Sequence, residues 1–150
     1  MAPWADALFA MDKAWWDMHI AEVRSVFRGD LCTTSNQVGR HGLRAMGTYK
    51  RGWEPFGNSG AGAVSLAGLA GARRVLMLGY DCQRTGGKVH WHGDHPKGLG
   101  NAGAMPKWPQ QFAKLKAAMA GVEIINCSRA TALTCFPRGD LETCLAEAAA

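Results

Sequence analysis

Residues 88–96, "KVHWHGDHP", hold three of the chain's five histidines and an aspartate. His90, His92, Asp94 and His95 stand in the pattern H-x-H-x-D-H. Imidazoles two residues apart on an extended segment can share one zinc ion, and a neighbouring carboxylate can complete its shell. A zinc-bound water would make this loop a hydrolytic centre. The loop is therefore the first place where residue type and spacing point to chemistry.

Counting ligands limits that reading. The same pattern holds zinc in metallo-β-lactamase-like hydrolases, whose fold needs further ligands from later strands, including a histidine. No histidine follows His95 here, and the remaining two, His19 and His41, lie upstream. A complete binuclear site is not expected, and a metal site made of His90, His92, Asp94 and His95 is kept as an alternative.

Two other stretches carry polar groups at useful places. In "FGNSGAGA", Asn58 or Ser59 can cap the helix that follows, and Gly60 and Gly62 allow a ligand to approach backbone amides at a positive helix end. The same residues equally describe a capped helix with small side chains for close packing on a sheet. In "NCSRATA", Ser128 and Thr131 offer hydroxyls and Arg129 a cation; a capped strand-to-helix turn is the competing reading.

The elements that must position these groups alternate along the chain. "ADALFAMD" reads as a short strand ending at Asp12. "KAWWDMHIAEVRSVF" places Trp15, Trp16, Ile20, Val23 and Phe27 close to helical spacing. A strand around Leu31 to Thr33 is followed by a long polar segment through Gly57. "NSGAGAVSLAGLAGA" reads as a helix, "RRVLMLGYD" as a strand ended by Gly79 and Asp81, and "PKWPQQFAKLKAAMAG" as a helix. "VEIINCS" and "DLETCLAEAAA" complete the series as strand and helix. Such alternation predicts an α/β fold with a mostly parallel sheet covered on both faces, a three-layer Rossmann-like arrangement formed as one domain over 1–150. Ligands in such folds sit outside the carboxyl ends of the strands. Asp12, Asp81, the histidine loop and "NCSRAT" all fall there.

Composition sets the remaining bounds. A hydrophobic share of 47% and a charged share of 19% belong to a chain that folds around a core. No apolar run approaches the roughly 20 residues of a membrane helix, and no secretory leader is visible, so a cytoplasmic protein without membrane partners is expected. The five cysteines are odd in number and lack a C-x-x-C pair; reduced, packed thiols are the expectation. A net charge of +5 spread over dispersed Lys and Arg suits small anionic ligands better than nucleic acid. Trp4, Trp15 and Trp16 are expected in the core or an interface. Trp91 and Trp108, beside the polar loop, can stack on a base or sugar.

Over residues 4 to 145, "NSGAGAVSLAGLAGARRVLMLGYDCQ", the histidine loop, and "GVEIINCSRATALTCFP" together resemble a family of uncharacterised phage and prophage proteins. More distantly, the motif order is similar to the sialyltransferase-like and pterin-pyrophosphokinase-like group. That resemblance implies nucleotide contacts at Asn58, Ser59 and Gly60. It also implies a sugar-nucleotide pocket near Gly79 and Asp81, with Asp81 joining the catalytic set, and a general base toward an acceptor hydroxyl at His95 or His92. Cys127 and Ser128 would match the family's next short loop. The group's glycine-rich turn after a first strand has no counterpart before "APWADALF". The expectation is thus a Rossmann-like fold truncated at its N-terminus, forming a homo-oligomer that relieves an open sheet edge.

Three functions follow as expectations. One is a glycosyltransferase-like enzyme with a sugar nucleotide as donor. The second is a phage-derived protein that binds or sequesters a nucleotide without converting it, in the host cytoplasm. The third is a zinc-dependent hydrolase built on the histidine loop.

Overall fold

β1 (Ala7–Phe9), α1 (Lys13–Val26), β2 (Asp30–Thr33), α2 (Val38–His41), β3 (Arg44–Ala45) and α3 (Ser59–Leu69) follow one another in the first half of the chain. The structure is a computed structural model that describes residues 2–34, 37–46, 53–90 and 93–148. It forms two compact units, Met1–Leu69 and Ala70–Ala150.

In the first unit the strands lie in the order β1-β2-β3, all parallel, with Leu8 opposite Leu31 and Thr33 opposite Ala45. Parallel neighbours require a crossover, and α1 supplies it between β1 and β2. The helix forms because Trp16, Ile20 and Val23, with Phe27 just beyond it, recur at helical spacing and share one face. Trp16 and Val23 are wholly buried, and they pack with Ala10, Phe27 and Leu43 as the centre of this unit's core. The indole N–H of Trp16 donates to the carbonyl of Ala10 at 3.0 Å and lies 3.2 Å from the Thr33 hydroxyl, which itself donates to Ala10. Strand, helix and strand are thereby joined by one aromatic side chain whose polar atom is paired. Gly29 makes the turn from α1 into β2, because any Cβ there would collide with the backbone carbonyl of Asp6.

α2 and β3 lie within the segment that reads as a polar loop. A four-residue helix and a two-residue strand carry too little periodicity to be visible in sequence. Side chains hold α2 instead. Asp17 on α1 binds Lys13 at 2.6 Å, Arg40 at 2.8 Å and His41 at 2.7 Å, while Arg24 donates to the carbonyl of His41 at 2.6 Å. Hydrogen bonds from Lys13 and His41, aided by the charge of Arg40, hold the Asp17 carboxyl down at about 2.

The second unit contains β4 (Arg74–Met77), a 3-10 turn at Met105–Lys107, α4 (Trp108–Ala118), β5 (Glu123–Asn126) and α5 (Leu141–Ala148). β4 and β5 are parallel, with Met77 opposite Asn126. Met77, Phe112, Leu115, Ile124, Ile125, Leu133 and Phe136 are buried. Phe112 meets Tyr80 and Phe136 edge-on at ring separations of 5.7 and 6.2 Å. Arg74, at the start of β4, pairs with Glu123 on β5 and reaches Glu147 and the carbonyl of Cys144 on α5. Beyond β5 the chain returns alongside it: Asn126 N–H donates to Pro137, and Gly139 N–H donates back to Asn126. Asp140 then caps α5, its carboxylate accepting from both the N–H and the hydroxyl of Thr143 at 2.9 Å. These bonds hold the Asp140 carboxyl below its ordinary range.

The chain is thus a mixed α/β protein with short parallel sheets of three and two strands. Among the described residues, no helix is long and apolar enough to cross a membrane.

Candidate functional site

The carboxyl ends of β4 and β5 open on a cleft of about 910 Å3 within the second unit. Gly79, Asp81 and Thr85 line it from the loop after β4, Cys127, Ser128 and Arg129 from the loop after β5, and Arg138 to Glu142 from the entry to α5. Its position is the one expected for a ligand site in a parallel sheet, where loops leaving the strand ends converge.

Asn126, the last residue of β5, is fully buried and organises the floor. Its amide nitrogen lies 3.2 Å from both the carbonyl of Tyr80 and the hydroxyl of Thr131, and its amide oxygen accepts from Ser128 N–H at 3.0 Å. Thr131 donates to the carbonyl of Tyr80 at 2.7 Å and accepts from Leu133 N–H at 3.0 Å. The Ser128 hydroxyl accepts from Tyr80 N–H at 2.7 Å. Ala132 N–H donates to the carbonyl of Asp81 at 2.8 Å. The two strand-end loops are therefore laced together by side chains of 126, 128 and 131. Such a network, with its donors and acceptors matched in a buried place, fixes loop geometry as a regular strand pair would.

The backbone between these bonds is bent sharply. Gly79 has φ +76° with open space around its Cα, so it is the conformation and not crowding that calls for glycine. Cys82 has φ +50°, a region that side chains other than Gly, Asn and Asp seldom adopt. Together they turn Tyr80 inward, where burial pushes its phenol up to about 12, and turn Asp81 toward the cleft. The Asp81 carboxylate accepts from the Thr85 hydroxyl at 3.2 Å.

The cleft carries both signs of charge. Arg138 donates to the carbonyls of Ser128 and Arg129 at 3.1 and 2.7 Å. Arg129 is exposed on the wall, and among the described residues it pairs with no carboxylate. Asp81, Asp140 and Glu142 supply the negative side.

The residues expected from sequence are distributed unevenly. Gly79, Asp81 and Ser128 line the cleft. Thr131 stands behind it with its one donor and two acceptor positions all used by protein groups. Asn58, Ser59 and Gly60 belong to the first unit. There the Asn58 side-chain amide oxygen caps α3 by accepting from Ala61 N–H at 2.7 Å, and the Ser59 hydroxyl accepts from Met11 N–H at 3.1 Å. Gly62 lies against the ring of Phe9. This is the arrangement of a capped helix with small residues for close packing.

His95 is not among the cleft-lining residues; its ring lies 4.4 Å from that of His90 and its N–H donates to Asn101 at 2.7 Å. Asp94 is exposed. His92 and Trp91 lie outside the described residues. Among the described residues, no three His, Cys, Asp or Glu side chains are grouped to hold a metal ion. Sequence reading missed Asn126, Arg138 and Asp140. The signal available for Asn126 was a polar residue directly after the apolar pair Ile124 and Ile125.

Comparison with known proteins finds no family model, no curated protein and no solved structure that matches the chain.

Proposed function

We propose that this protein binds a nucleotide or sugar nucleotide in the cleft at the carboxyl ends of β4 and β5. The observation that carries the reading is the position of that cleft: two parallel strands end there, and their loops present Arg129, Asp81 and Ser128 together. Arg129 offers a guanidinium to a phosphate. Asp81 offers a carboxylate that can accept from sugar hydroxyls. The Rossmann-like reading belongs to the same proposal, since each unit contains parallel strands of the kind from which those folds are built.

Binding without turnover is the form we favour. A glycosyltransferase-like reaction requires a base at the acceptor, and His95 is not among the residues of this cleft. Asp81 is the expected catalytic residue that does line it. Support for the binding form thus comes from the wall residues.

The test is thermal unfolding of the full chain with nucleoside mono- and diphosphates and sugar nucleotides, each with and without EDTA. A ligand that binds the native state raises the midpoint by mass action. We expect one nucleotide class to raise it regardless of EDTA, and Arg129→Gln to remove most of the rise. If no nucleotide moves the midpoint, the reading is wrong. A midpoint that falls with EDTA and returns with zinc would favour the histidine loop.

A further inference from the structure

Cys127 and Cys144 meet at Gly139. A Cβ placed on Gly139 would lie 2.8 Å from the sulfur of Cys144 and 3.8 Å from that of Cys127. Both sulfurs therefore lie beside the same point, and the absence of a side chain at 139 gives that of Cys144 its room. Burial and the nearby Cys144 thiol hold the Cys127 thiol above its ordinary range. Their exposure differs: Cys127 lines the cleft, whereas Cys144 on α5 is buried at 5% exposure.

We propose that Cys127 and Cys144 form a reversible disulfide by exchange with a small-molecule disulfide, Cys127 acting as the entry thiol and Cys144 as the resolving one. In the first step the Cys127 thiolate attacks one sulfur of the oxidant. That S–S bond breaks, and one thiolate leaves and takes up a proton. In the second step the Cys144 thiolate attacks the Cys127 sulfur of the mixed disulfide and expels the second small thiol. Two protein thiols are oxidised, one small disulfide is reduced to two thiols, and the protons lost by the cysteines end on the products.

The order of the steps follows from access. An oxidant arriving through solvent reaches the cleft wall before it reaches the interior, and Cys144 needs only the neighbouring sulfur. The rate is set by thiolate content. Burial and the adjacent Cys144 thiol both hold Cys127 above its ordinary range, so exchange is slow at neutral pH and accelerates in alkali. The bond would join the end of β5 to α5 across Pro137 to Asp140, the segment that forms one wall of the cleft. It does not depend on what the cleft binds.

The experiment uses the native full chain in excess oxidised glutathione at about pH 8.5, the ordinary range of a free thiol, followed by alkylation of remaining thiols and digestion with trypsin. Cleavage after Lys116, Arg129 and Arg138 puts Cys127, Cys135 and Cys144 on separate peptides. We expect the 117–129 and 139–150 peptides to be recovered joined, and to separate on reduction. The oxidised chain should melt about 5–15 °C higher, because a closed loop restricts the unfolded chain. Cys144→Ser should stop at the first step, with glutathione held on Cys127. Recovery of Cys127 and Cys144 both alkylated, or each joined to some other cysteine, overturns the proposal. So does glutathione accumulating on Cys127 in the unsubstituted chain, since that would show that Cys144 does not reach it.

Discussion

Single residues in the second unit decide whether the strand-end loops hold their shape. Asn126 serves three partners while fully buried. Asn126→Ala should destabilise the protein by about 2–3 kcal/mol, the cost of leaving buried polar groups unmatched, seen as a lower denaturant midpoint with unchanged slope. Asp17 makes a different prediction at the same scale. Its carboxyl is held at about 2 against an ordinary value of 3.8, so its contribution is fully present above the ordinary value and is lost as pH falls toward 2. The stability difference between the natural chain and Asp17→Asn should be constant above about pH 5 and shrink steadily below about pH 4. Denaturation curves at a series of pH values check this; a difference that persists undiminished near pH 2 would show that the ion cluster is not its source.

At the scale of elements, glycine separates helices held by packing from helices held by charge. Gly62 of α3 faces the ring of Phe9, and a Cβ there would lie 2.5 Å from it. Gly39 of α2 has open space around it. Alanine is the better helix former at either place by about 1 kcal/mol. Gly39→Ala should therefore stabilise by up to about 1 kcal/mol, whereas Gly62→Ala should cost about 1–3 kcal/mol because the Phe9 ring or the helix must shift. Opposite signs in paired denaturant titrations are the expected result. The α1, α3, α4 and α5 helices and the β1, β2, β4 and β5 strands were all legible as apolar runs or helical spacing. α2 and β3 were not. Their stability comes from Asp17 and from pairing with β2, partners at least ten positions away along the chain.

For the molecule as a whole, charge bears on the proposed nucleotide binding. A net charge of +5 favours anions over the entire surface, while the cleft balances Arg129 and Arg138 against three carboxylates. Nucleotide affinity should fall as salt rises from about 0.05 to 0.5 M, since exposed charges are screened over this range. Arg129→Gln should flatten that dependence. A titration by calorimetry at three salt concentrations reads both effects. A ligand at about 100 times its Kd should add about 2.7 kcal/mol of stability, whatever the salt.

The sequence by itself determined the alternation of helices and strands, the parallel pairing that such alternation implies, and the loops at the strand ends, because periodicity and strand-end turns are local properties. Tertiary structure alone decided the use of each polar group. Asn58 became a cap, Thr131 spent its hydroxyl on Tyr80, Asn126 and Leu133, and Cys127 met Cys144 across Gly139. A hydroxyl or thiol has the same chemistry in any sequence. Whether it faces a ligand or a neighbouring carbonyl depends on where distant segments come to rest, and no spacing rule along the chain records that.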